Sequence, residues 1–204
     1  MTLGDARIID LLGGIAILAI FFVVVSRWGR RHRGTRSTAV HRARSFLLSA
    51  LFNSILLVGL PWFAHRLIPG LLPIPLALGR LVGAVLVVLG AGALISSVDA
   101  FGRRGHGTPS PLDPPSLLVT DGLFGVVRNP IILAELMVIW GEALFLSSLG
   151  IAAYAIVVSL LSHLGVVRNE EPELRKRFGE SYEAYFRQVP RWVPRLRPRR
   201  SASH

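Results

Sequence analysis

The chain has no cysteine, a single lysine (Lys176) and only 17% charged residues. Without cysteine there are no disulfides, thiolate nucleophiles or cysteine-ligated metals. The low charge, together with 51% apolar residues and a mean hydropathy of +0.53 over 204 residues, excludes a disordered chain and an ordinary soluble domain. A small integral membrane protein is left. The motifs of soluble nucleotide folds are missing as well. No Gly-x-Gly-x-x-Gly follows a strand pattern, and neither a phosphate loop nor a Gly-x-Ser-x-Gly elbow occurs. The 6 histidines are scattered without partners at metal-ligand spacing, so no metal site is expected.

What is abundant is arginine, and its placement says more than the formal charge of +11. Arg27, Arg30, Arg31, Arg33, Arg36, Arg42 and Arg44 lie between two apolar runs, and much of the rest falls in the last forty residues. In a soluble chain this balance would suggest nucleic acid. Here it fits the basic cytoplasmic loops of a membrane protein in contact with lipid headgroups, and no nucleic-acid partner is expected.

Apolar runs predict five spans, at about 8–26, 46–64, 81–98, 131–149 and 151–167. Basic residues follow the first run instead of preceding it, which favours an anchor over a signal peptide. Pro69, Gly70, Pro73 and Pro75 mark a turn after the second span, and Ser147, Ser148 and Gly150 break the last two into a hairpin. Gly83, Gly90 and Gly92 in the third span let a neighbouring helix come close. Residues 102–125 form a polar Gly/Pro-rich loop. In 169–185, Leu174, Phe178, Tyr182 and Tyr185 recur at helical steps, predicting an amphipathic helix on the membrane face, with Tyr182, Tyr185 and Trp192 as interfacial anchors. The expected fold is an all-α integral membrane bundle of about five transmembrane helices with a C-terminal cytoplasmic amphipathic helix. It forms one domain, with three N-terminal spans in 1–100 and the remainder in 101–204. Arginine-rich segments after the first, third and fifth spans place the N-terminus outside and the C-terminus in the cytoplasm.

Ionisable groups inside such spans are candidates for function. Glu135 and Glu142, seven apart, share one helix face about 10 Å apart; the alternative for Glu135 is an ion pair with an arginine such as Arg128. His163, near the end of the fifth span, is either a proton acceptor or a hydrogen-bonded structural histidine. If the hairpin is antiparallel, Arg128-Asn129-Pro130, Glu170-Glu171 and the polar loop meet at the cytoplasmic face. Taken alone, Glu170-Glu171-Pro172 also reads as a helix N-terminus.

The last hundred residues resemble the isoprenylcysteine carboxyl methyltransferase family. The likeness rests on Leu118-Val119-Thr120-x-Gly122-x-Phe124-x-x-x-Arg128-Asn129-Pro130, Glu170-Glu171-Pro172-x-Leu174, Phe178-Gly179-x-x-Tyr182-x-x-Tyr185 and Val189-Pro190-Arg191-Trp192-x-Pro194. It implies a membrane enzyme that moves a methyl group from S-adenosylmethionine to a lipophilic small-molecule or lipid-modified acceptor arriving from the bilayer, with 101–204 as its core. It also implies that Ser116, Leu117, Leu118, Val119, Phe124, Arg128, Asn129, Pro130, Ile131, Ile132 and Glu170 hold the cofactor. Asn129 stands where the family motif often has histidine, and Phe124 and Ile132 stand where it has tyrosine. The arginine that binds the acceptor carboxylate in eukaryotic members falls at Val166, leaving Arg168 as the nearby candidate. Should the acceptor need a base, the candidates are Glu171, Glu142 and His163. Two alternatives stand beside this reading. One is an NADPH-dependent membrane reductase, since sterol reductases have a similar Arg-x-Pro stretch with a glutamate at the position of Glu135. The other is an inactive scaffold of the same fold.

Overall fold

The computed structural model describes residues 39–104 and 117–195. They form seven α-helical segments, which two π-turns join into five rods. The first rod is α1 (Ala39–Ser54), a π-turn (Ile55–Gly59) and α2 (Leu60–Leu67); the second is α3 (Leu76–Arg104); the third is α4 (Pro130–Phe145). The fourth runs through α5 (Leu149–Gly165), a π-turn (Val166–Glu170) and α6 (Glu171–Phe178), and the fifth is α7 (Glu180–Gln188). Each π-turn leads into a proline, Pro61 or Pro172. A proline ring clashes with the carbonyl four residues earlier, and the wider π-turn relieves that clash without ending the rod.

Among the described residues three helices are long and apolar enough to cross a membrane: Leu47–Leu67, Leu76–Phe101 and Leu149–Phe178. The chain is therefore a multi-pass membrane protein. The expected fourth span is a shorter helix, because α4 has 16 residues and covers only about 24 Å. The expected first span, 8–26, lies outside the described residues. Leu81, Val85, Val88, Leu89 and Ile95 leave much of α3 apolar and exposed, as lipid contact requires.

Helix α4 lies along α3, and glycine makes the approach possible. A Cβ on Gly83 would sit 2.5 Å from the Gly141 carbonyl oxygen, and one on Gly141 would sit 2.8 Å from that of Gly83. Gly90 faces Ala134 in the same seam, whereas Gly92 meets nothing within 4 Å. At the α4–α5 hairpin the chain turns at Ser147 (φ 50°), and Ser148 caps α5 by accepting from the Ile151 amide at 3.2 Å. The turn after α2 docks there through Leu72 N–H to Ser147 O at 2.9 Å, and His65 Nδ1 lies 2.8 Å from Ser148 Oγ.

The amphipathic segment differs from expectation. Its first half, α6, continues the membrane rod, and Gly179 (φ 52°) then turns the chain into α7. Tyr182 and Tyr185 are each 3% exposed and form a core with Val189, packed by Leu118, Leu174, Phe178 and Phe186. They are core residues of a small subdomain and do not anchor it to lipid. The helical step identified an apolar face but did not say whether protein or bilayer would cover it.

Candidate active site

Polar groups gather where α4 begins and the fourth rod leaves its π-turn. The approach to α4 is a 3-10 turn (Gly122–Gly125) whose Phe124 is buried against Phe101, with ring centroids 5.0 Å apart. Tyr185 Oη donates to the Phe124 carbonyl at 2.7 Å, tying this turn to α7. The C-terminal segment 189–195 runs beside it as a strap. Arg128 N–H donates to Pro190 O at 2.9 Å, Arg195 N–H to Val126 O at 3.1 Å, and Asn129 Nδ2 to Arg191 O at 3.3 Å. These bonds satisfy the backbone of a segment that Pro130 keeps from being helical until α4 starts.

At the centre is Glu171, 4% exposed. Arg191 holds it through both oxygens, Nε to Oε1 at 2.6 Å and Nη2 to Oε2 at 2.9 Å. Arg128 Nη1 is 3.3 Å from Oε1 but makes no hydrogen bond, and neither does Arg128 Nε. Its guanidinium carbon lies 3.8 Å from the centroid of the Phe186 ring. Arg175, paired with Glu183 at 2.6 Å, lies over the same ring at 4.4 Å. Burial and the neighbouring Glu171 carboxylate push the Tyr182 phenol above its ordinary range, against the opposing pull of Arg128. The hydrogen bonds that Arg191 donates to the Glu171 carboxylate raise its already high pKa.

Leu118, Val119, Phe124, Arg128, Asn129, Pro130, Glu170 and Glu171 all come to this end of the bundle, with Ile131 and Ile132 on the first turn of α4. Ser116 lies outside the described residues, and Leu117 is exposed. Glu170 closes the π-turn; it is exposed and has no hydrogen bond or ion pair among the described residues. Arg168, on the same turn, is also exposed, while Val166 is buried. Outside this cluster, His163 is exposed and its Nδ1 accepts from Trp192 Nε1 at 3.0 Å. Glu142 lies 13 residues along α4 from Asn129, about 20 Å away at helical rise. It lines an apolar cavity of about 460 Å³ with Trp62, His65, Val87 and Phe145. Nothing in the sequence marks Arg191 or Phe186 for this site. Arg191 was visible only as a letter in the Val-Pro-Arg-Trp motif, which does not say which carboxylate it meets.

A multi-pass helical membrane protein, with a buried ion-paired centre walled by a loop, a helix start and a C-terminal strap, is the class that fold and site define. The chain matches the family model described as phospholipid methyltransferase (PEMT) over residues 78–181, slightly more than half its length, and belongs to that family. It is a membrane methyltransferase that uses S-adenosylmethionine and acts on a lipid acceptor. The match begins in α3 and ends at the start of α7, so it takes in Arg128, Asn129, Glu170 and Glu171 but not Tyr182, Tyr185, Phe186 or the strap. It establishes the wider group, not its isoprenylcysteine branch, and displaces the reductase alternative. No curated protein matches the chain.

Proposed function

We propose that the cluster around Glu170, Glu171 and Arg128 is the methyl-transfer site, and that the acceptor is a lipophilic carboxylate of the isoprenylcysteine type. The observation that carries this is the exposed, unpaired Glu170 next to a neighbouring carboxylate already fully engaged by arginine. The unpaired Glu170 shares this end of the bundle with Arg128, which is ion-paired with Glu171 but makes no hydrogen bond through Nε or Nη1, and that suits a cofactor bearing both an amine and a carboxylate. Glu170 accepts hydrogen bonds from its hydroxyls or amine. Asn129, Phe124, Val119 and the first turn of α4 line its apolar parts. S-adenosylmethionine, once bound, supplies an electrophilic methyl group on a sulfonium.

The candidate bases favour an acceptor that is already nucleophilic. Glu171 is neutralised by Arg191, Glu142 is about 20 Å along α4, and the Nδ1 of His163 is engaged by Trp192. A carboxylate needs no deprotonation, so the protein's contribution is alignment and exclusion of water. Arg168, exposed on the turn that carries Glu170, is the candidate to hold that carboxylate. Arginine placement in the sequence supports a cytoplasmic position for this end.

Calorimetric titration of detergent-purified protein with S-adenosylmethionine, its demethylated product and NADPH tests the site. Micromolar binding of the first two, lost in Glu170→Ala, is expected; retained affinity in the variant overturns the assignment. Transfer of a labelled methyl group to a prenylated cysteine should give a base-labile ester. A base-stable product on an aminophospholipid would instead make the acceptor an amine.

A further inference from the structure

We infer that the cavity beside Glu142 is a binding site for a single-chain amphiphile with an ammonium head, entering from the leaflet opposite the methyl-transfer site and independent of it. The cavity arises from how the helices pair. Helix α2 packs against α5 and α3 against α4, and the space left between the two pairs has walls from all four. Its volume of about 460 Å³ falls within the usual range of small-molecule sites. Rim and floor differ in exposure: Val58, Trp62, Val88 and Leu146 are exposed, while Pro61 and Ile151 are buried behind them. The opening is therefore lateral, toward acyl chains.

Apart from Glu142 and His65, every lining side chain is apolar. His65 is engaged, because its Nδ1 lies 2.8 Å from Ser148 Oγ. Glu142 is half-buried and has no hydrogen bond or ion pair among the described residues. The arginine on α2, Arg66, lies over the Trp62 ring at 5.0 Å and does not pair with this carboxylate. An unpartnered carboxylate in an apolar wall at membrane depth is costly until a cation joins it. An ammonium supplies that cation, and its alkyl chain fills the apolar remainder. An anionic head would meet a like charge, and a neutral head would leave the carboxylate unpaired. At about 30 Å³ per water-sized group, the volume accepts roughly fifteen heavy atoms. That is one alkyl chain with its head, not the two chains of a phospholipid.

A brominated chain tests this, because bromine quenches tryptophan fluorescence on contact and Trp62 stands at the mouth. Protein in phosphatidylcholine nanodiscs is titrated with ω-bromododecylammonium and with the alcohol and the carboxylate of the same chain. The variant Trp62→Phe identifies the part of the signal that belongs to Trp62. Wild type should show saturable quenching of Trp62, with the amine bound about tenfold more tightly than the alcohol, the scale of one charge-assisted pair, and the carboxylate weakest. Glu142→Gln should bind amine and alcohol alike. Equal affinity of wild type for all three would mean a cavity that takes any chain, and tighter binding of the carboxylate would assign it to an anion; either overturns the inference. So does an undiminished preference for the amine in Glu142→Gln. If that variant does not fold, Ala84→Leu carries the test, because it narrows the cavity and keeps the carboxylate. It should abolish the saturable quenching by the amine, and retention of that quenching sinks the idea.

Discussion

Glu170 and Glu171 are adjacent in the chain and opposite in circumstance: Glu171 is buried and gripped by Arg191 at 2.6 and 2.9 Å, while Glu170 is exposed and unpaired. Successive helical residues point about a third of a turn apart, so one faces the strap and the other the open side. The two isosteric variants should therefore separate. Glu171→Gln leaves two buried or half-buried arginines without a counter-ion and should cost about 3 kcal/mol of stability. Glu170→Gln should leave stability within about 0.5 kcal/mol and abolish S-adenosylmethionine binding. Thermal unfolding and calorimetry on the same detergent preparations check both, and equal destabilisation by the two would contradict the assignment.

Arg191 acts on the site through other residues. Its side chain holds Glu171, and its carbonyl accepts from Asn129. Replacing it by methionine should weaken donor affinity about tenfold, on the scale of one charged hydrogen bond, with kcat much less affected. It should also raise hydrogen exchange at the Arg128 and Arg195 amides, which bond across the strap. Arg191→Lys, which keeps the charge but loses the two-pronged grip of the guanidinium, should recover part of the affinity. Unchanged exchange at those amides would mean that the strap does not depend on this side chain.

The second, third and fifth spans and the hairpin are legible in the sequence because apolar length and Gly/Pro punctuation are local properties. Ser147-Ser148 marked the turn between α4 and α5, and the turn lies there. Gly83 and Gly90 indicate a close helix pair, but Gly141, which Gly83 meets, carries no signal of its own among Met137, Val138, Ile139 and Trp140. Pairing is a relation between two helices, and a run of apolar letters does not specify it. The Glu-Glu-Pro motif marked the site, but which glutamate is free depends on the strap twenty residues later. Tyr182 and Tyr185 lie in a protein core and not at a lipid surface for the same reason: an amphipathic period fits both equally well.

The Gly83–Gly141 contact predicts a sharp positional contrast along one helix. Gly83→Ala would force a Cβ to 2.5 Å from the Gly141 carbonyl oxygen and from the Phe145 amide nitrogen, both backbone atoms with little room to yield. Separation of α3 from α4 should cost about 2–3 kcal/mol, the upper part of the range for overpacking. Gly92→Ala, on the same helix and facing open space, should be neutral or stabilising by up to about 1 kcal/mol. Thermal midpoints in one detergent distinguish the two variants; similar behaviour would mean the helices are not in contact at Gly83.

Glu142 provides the negative control for the whole assignment. It shares α4 with Asn129, but 13 residues of helix separate them, about 20 Å, and its neighbours are Trp62, Val87 and Phe145 at the other end of the bundle. A carboxylate at that distance neither touches the donor nor takes a proton from an acceptor beside it. Glu142→Gln should bind S-adenosylmethionine within about twofold of wild type, because variants well separated from a site act independently of it. Loss of turnover with donor binding intact would show that the acceptor reaches this cavity. Loss of donor binding would place the cofactor at the wrong end of the bundle.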